Sequence, residues 1–166
     1  MKFIALLTLV LSMASPGLGS AQDHLDGHDI KFLEQAAQTG MLDIQAGQLA
    51  LQSTSDQKVK QYAQLILIEH EKIAGDLQGL ASTHDVKLPT ELDAKSVDTL
   101  INLQREQGTE FDQRYIDEVA IGAHENAVTL FTKISKETQN QAIKTFAVDS
   151  LPVLQQHLDQ GRSIAK

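Results

Sequence analysis

Along four long stretches of the chain, apolar residues recur every three or four positions, the spacing of one buried helical face. The first stretch predicts a helix over about 30–52, with Leu33, Ala36 or Ala37, Gly40, Ile44, Gly47 and Leu51 on one stripe. Glycine costs helix propensity, so Gly40 and Gly47 on the stripe predict close approach of a neighbouring helix. The second stretch carries Val59, Ala63, Ile66, His70, Ile73, Leu77 and Leu80 in four-three alternation, the rhythm of bundle packing. His70 takes a core position where leucine is usual. A third stripe runs through Phe111, Tyr115, Val119 or Ala120, Ala123 or His124, Ala127, Phe131 and Ile134. The fourth runs through Ile143, Ala147, Leu151, Leu154, His157 or Leu158, and Ile164, with Pro152 inside it. An interior proline removes one backbone hydrogen bond and predicts a kink.

The connections fit this reading. Thr54 with Gln57 and Thr138 with Gln141 match a capping box,. Asp85 to Pro89 ends the second helix, Thr90 can cap a weakly patterned helical segment over 91–104, and Gly108 marks a bend or restart with Thr109 as its cap. No alternating strand pattern and no internal repeat appears. The expectation is a single all-α domain over residues 29–166, an antiparallel four-helix bundle.

The start of the chain has a different character. Met1-Lys2 is followed by an apolar run from Phe3 to Leu11, a Pro16-Gly17 break and the small residues Gly19-Ser20-Ala21. That is the pattern of a secretory signal peptide over 1–21, cut after Ala21 or, in competition, after Gly19. Residues 22–28 then form a polar, mobile N-terminal segment. The run is too short to span a membrane, and no later segment reads as a span. The mature chain is expected to be soluble and periplasmic or otherwise secreted. It contains no cysteine, so neither disulfides nor thiolate ligands are available to it. Without Lys2 it carries 13 basic and 22 acidic residues, a net charge of −9. That balance argues against nucleic acid and anionic membrane surfaces as partners. The absence of tryptophan argues against an aromatic binding platform.

The segment from Asp29 to Ile164 resembles a bacterial exported ferritin-like family known as domain of unknown function 4142. The residues that carry the resemblance are Phe32-Leu33, Ala36-Ala37, Gly47-Gln48-Leu49-Ala50, Val59-Lys60, Ala63 and His70. Later come Leu88-Pro89, Phe111-Asp112, Tyr115, His124, Ala127-Val128, Leu130-Phe131, Leu151-Pro152, Leu154 and His157-Leu158. The resemblance implies a ferritin-like four-helix bundle in an exported protein and no particular activity. Similar sequences often carry an acidic residue where this chain has Gln45.

The residues that can carry chemistry are His70, His124 and His157. With up-down-up-down connectivity their heights along the bundle, counted at about 1.5 Å per residue, fall within roughly 7–8 Å. Helix 1 would meet that layer near Gln38 to Met41, with Glu34 a turn away. Core-facing side chains on facing helices are how bundles build metal sites, and imidazole nitrogens suit zinc, copper or nickel. Three such ligands leave a position open for a water. A di-iron centre would need Glu-x-x-His on two helices, but the residues three before the histidines are Leu67, Ile121 and Leu154. Glu69, Glu71 and Glu125 point about 100° away, toward the flanks. Cleavage after Ala21 would also expose Gln22-Asp23-His24, a square-planar site for copper or nickel, against the plainer reading of a polar linker. Tyr115 reads as a core aromatic with its hydroxyl on a helix partner. Two functional readings stand. One is a bundle that binds a transition metal through the histidine layer. The other is a non-catalytic envelope or stress-related bundle whose histidines pack the core and whose surface meets a protein partner. The sequence favours no catalysis.

Overall fold

The computed structural model describes residues 25–166, all five of whose regular elements are helices. They are α1 (Gly27–Ser53), α2 (Gln57–Thr83), α3 (Ala94–Arg105), α4 (108–137) and α5 (Gln141–Ile164). The helix α4 is built of three stretches, Gly108–Arg114, a π-helical Tyr115–Ala123 and His124–Glu137. Its junction residues Arg114, Tyr115, Ala123 and His124 all keep right-handed helical dihedrals, so it runs through without a break. The four long helices meet in a ring, α1 on α2, α2 on α5, α5 on α4 and α4 on α1, while α3 lies against α1. None of the described helices is long and apolar enough to cross a membrane.

The helix ends are fixed by Asp and Asn rather than by the threonines expected. Asp56 caps α2 by accepting from the amides of Lys58 and Val59, and Asn140 caps α5 through Ala142 and Ile143. Thr54 and Thr138 close the preceding helices instead, and each hydroxyl accepts from the backbone amide two residues on. The short carboxylate and amide side chains reach the first-turn amides better than threonine does. Asp93 likewise replaces Thr90 as the cap of α3, and Gln107 precedes α4 with no side-chain cap. Helix α1 starts at Gly27, inside the segment expected to be a linker, because Asp26 and Asp29 form a capping box,. The buried Asp29 also accepts from the Thr138 hydroxyl at 2.6 Å, pinning the start of α1 to the α4–α5 turn. The close-approach expectation fails at Gly40, which has open space around it, and at Gly47 the contact to Leu67 and Ala63 is an ordinary one.

After α2 the chain turns through Asp85, the non-glycine residue with positive φ (56°) among those described. The amides of Asp85 and Val86 return to the carbonyls of Ser82 and Ala81, the pairing of a Schellman stop. An L-residue with a β-carbon is disfavoured in that conformation. Asp85→Gly is therefore expected to raise stability by about 0.5–1 kcal/mol, read from the midpoint of urea unfolding. A lowered midpoint would mean that the aspartate side chain contributes more than its backbone costs.

The apolar core divides into two clusters. One gathers Phe32, Leu33, Leu77, Phe131, Ile143 and Leu154. The other gathers Tyr62, Ile66, Leu103, Phe111, Tyr115 and Val119. On each of α1, α2 and α4 the switch between clusters falls at one buried polar residue: Asp43, His70 and His124 respectively. On α5, His157 follows the last member of the first cluster, and Ile164 packs against the second.

Candidate metal centre

A polar layer thus crosses the middle of an otherwise apolar interior. Each of its members is buried, with Asp43, His124 and His157 completely so. The three imidazoles form a near-equilateral triangle with ring centroids 5.2–5.3 Å apart. One ring nitrogen from each lies within 4.8 Å of the other two. The heights read from the sequence therefore bring His70, His124 and His157 together. Helix α1 meets them at Asp43 and not at Gln38 to Met41. Gln38 instead clamps the loop before α3, donating to the Glu91 carbonyl at 2.9 Å and accepting from the Asp93 amide at 2.8 Å. Glu34 is exposed.

Two of the imidazoles hydrogen-bond an oxygen at one nitrogen, and the third has a carboxylate facing it. His124 Nδ1 donates to the backbone carbonyl of Val119 at 3.0 Å, five residues back within the π-helical stretch. A carbonyl only accepts, so the His124 proton is on Nδ1 and its Nε2 holds a lone pair. His70 Nδ1 faces Asp43 Oδ2 at 3.5 Å, within ion-pair reach but without a hydrogen bond. His157 donates from Nε2 to Glu69 Oε2 at 2.6 Å, so its lone pair is on Nδ1. The Nε2 atoms of His70 and His124 meet at 3.3 Å, a separation at which one ring can donate to the other or both can face one cation. A tetrahedral zinc with bonds of 2.0–2.1 Å would separate two nitrogens by about 3.3 Å.

Glu69 and Asp43 are the two site residues that the sequence reading missed. Glu69 does point to the flank of α2, but it crosses the helix interface and reaches His157. Asp43 sits three after Gly40 and four before Gly47, in register with the buried stripe on which the spacing alone puts Ile44.

Five buried side-chain polar atoms among the described residues lack a hydrogen bond. Three belong to this layer, Asp43 Oδ1 and Oδ2 and His157 Nδ1, and a fourth is the Tyr115 hydroxyl. The expectation that this hydroxyl finds a helix partner is not met. Tyr62 does find one, donating to the Ala120 carbonyl at 3.3 Å. Burial pushes the Asp43 carboxyl up from 3.8 to about 6, with His124 opposing. Burial, aided by the other two imidazoles, holds His70 well below its ordinary value of 6.5. Burial also lowers His157, against the pull of Glu69. Both phenols are pushed up, first by burial. At neutral pH these shifts favour neutral rings at His70 and His157 beside the Asp43 carboxyl, and a neutral imidazole is the ligand form that metal binding needs,.

The remaining candidates lie apart. Gln45 is exposed, so the departure there does not touch the layer. Glu125 pairs with Arg162 on the surface. His24, with Gln22 and Asp23, falls outside the described residues, and His28 is exposed in the first turn of α1.

Among known proteins, no curated protein and no solved structure matches this chain. A family model described as a domain of unknown function (DUF4142) matches residues 14–164. With nearly the whole chain covered, this protein belongs to the DUF4142 family.

Proposed function

We propose that this protein is an exported, periplasmic, ferritin-like antiparallel four-helix bundle that binds one transition-metal ion through His70, His124 and His157. Zinc, copper and nickel are the ions that suit three imidazole nitrogens. The observation that carries the reading is the oxygen group behind each ring, hydrogen-bonded at Glu69 and the Val119 carbonyl and facing His70 at 3.5 Å from Asp43. Ligating histidines are characteristically held in this way, their other nitrogen on a carboxylate or backbone carbonyl that fixes tautomer and orientation. A purely structural layer would leave two buried carboxylate oxygens and a ring nitrogen without partners, a cost that folded proteins avoid. A dication beside Asp43 offsets the buried charge. Export is supported by the basic start, apolar run and small-residue site of residues 1–21.

The test is metal content. Mature protein without an affinity tag, reconstituted with zinc, copper or nickel and then desalted, is expected to retain one ion per chain. The triple variant His70→Leu, His124→Leu, His157→Leu is expected to retain none. A parent that retains no ion overturns the reading.

A further inference from the structure

We propose that Glu69 is the way in: the carboxylate that takes a divalent cation from solvent and hands it through His157 to the histidine layer. This inference rests on the metal-binding reading above and concerns how the ion gets there.

The layer is sealed along the long axis of the helices. Apolar clusters lie on both sides of it, Phe32, Phe131 and Leu154 on one and Ile66, Phe111 and Tyr115 on the other. It is sealed sideways as well at three of its four members, since His124 and Asp43 are fully buried and His70 nearly so. The Val119 carbonyl behind His124 belongs to a residue with no exposed surface. A cleft of about 310 Å³ between α1, α3 and α4 is lined by Leu42 and Ala123, yet by no residue of the layer.

The fourth side differs. The Glu69 side chain is 34 % exposed, while the His157 ring it holds at 2.6 Å is 0 % exposed. Glu69 lines a cleft of about 480 Å³ between α2 and α5, with Asp76, Asp149, Ser150 and Phe146. Lys72 at its rim is engaged by Asp76 at 2.8 Å, so the acidic groups outnumber the basic one. Behind Glu69 sits a buried imidazole whose Nδ1 has no hydrogen-bond partner. The cleft thus ends on a carboxylate that touches both water and the layer. A dication drawn to the negative mouth first exchanges a water for the Glu69 oxygen. Rotation of Glu69 about its own side-chain bonds then frees His157 and brings the ion to the imidazoles without opening either apolar cluster.

Cobalt(II) is the probe, because tetrahedral binding to nitrogen gives a visible absorption band. Stopped-flow mixing with the metal-free mature protein reads association, and displacement by chelator reads release. Glu69→Gln keeps an oxygen that can accept from His157 but removes the charge. It is expected to slow association about tenfold, in addition to any affinity lost on the release arm through the weaker hold on His157. Asp149→Lys, an exposed change at the cleft mouth, is expected to slow association at low salt and to match the parent at high salt. Unchanged association in Glu69→Gln overturns the route and leaves the metal site standing. A weaker Kd arising only from faster release also overturns it, since Glu69 would then merely anchor His157. A parent protein that takes up no cobalt overturns the site and the route together.

Discussion

Asp43→Asn is expected to stabilise the metal-free protein by about 3 kcal/mol at pH 8 and by about half of that at pH 5. The folded carboxyl titrates at about 6 against 3.8 as its ordinary value. An acid raised in this way favours the folded state fully below pH 3.8, and the advantage is lost as pH rises through 6. At pH 8 the native state therefore holds a carboxylate where the unfolded chain would ionise it about two pH units more readily, at about 1.36 kcal/mol per unit. Asparagine cannot ionise and escapes that loss. His70 and His157, lowered in the fold, act in the opposite sense, since their contribution is present above 6.5 and is lost as pH falls. Both remain in the variant, so the change in the difference between the two pH values reads chiefly the Asp43 carboxyl,. Urea unfolding of parent and variant in chelator at the two pH values makes the comparison, and a difference that does not change with pH would sink it. The same substitution is expected to weaken zinc binding about 10–100-fold, the usual effect of removing the carboxylate behind a ligating histidine. A residue that costs stability without metal and contributes affinity with it marks a site shaped for the ion.

The second large effect is expected at Gly161. A β-carbon there would lie 2.4 Å from the Ala120 carbonyl oxygen and 2.9 Å from its carbon. Both are backbone atoms, and the oxygen also accepts from Tyr62, so α5 must move away from the π-helical stretch. Gly161→Ala is expected to destabilise by about 3 kcal/mol, the upper part of the range for overpacking. His157 lies one turn earlier on the same helix, so zinc affinity is expected to fall with it. Gly40→Ala is the matched control, since nothing lies within 4 Å of its added β-carbon. It is expected to stabilise by about 0.5–1 kcal/mol. Guanidinium unfolding and zinc titration of the two variants decide the matter. If Gly161→Ala unfolds within about 1 kcal/mol of the parent, α5 is not held against Ala120 as the structure shows.

The periodic pattern carried much of this arrangement and failed at identifiable points. His70 was legible because strict four-three spacing leaves one position for it. The shared height of His124 and His157 followed from counting residues along straight helices. Asp43 was missed because a lone acidic residue reads as surface, although Gly40, Asp43 and Gly47 share one register. Glu69 was missed for another reason. Its bond to His157 depends on how α2 and α5 are rotated against each other, which no single-helix pattern contains. The π-helical stretch also leaves no trace in Tyr115–Ala123, whose residues would suit an α-helix, yet it is the stretch that supplies the carbonyl behind His124. Where a threonine stands close to an aspartate or asparagine, the true cap falls two residues beyond the threonine, at Asp56 and Asn140.

The polar layer has one more consequence, for cooperativity. The two apolar clusters are two nuclei of order joined across a seam that gains little from dispersion or water exclusion. Native proteins open in contiguous units of unequal stability, and this seam is the natural boundary between two such units. An ion gripped by residues from three helices would bind them into one. Metal would then govern less whether the chain folds than whether its halves open separately or together.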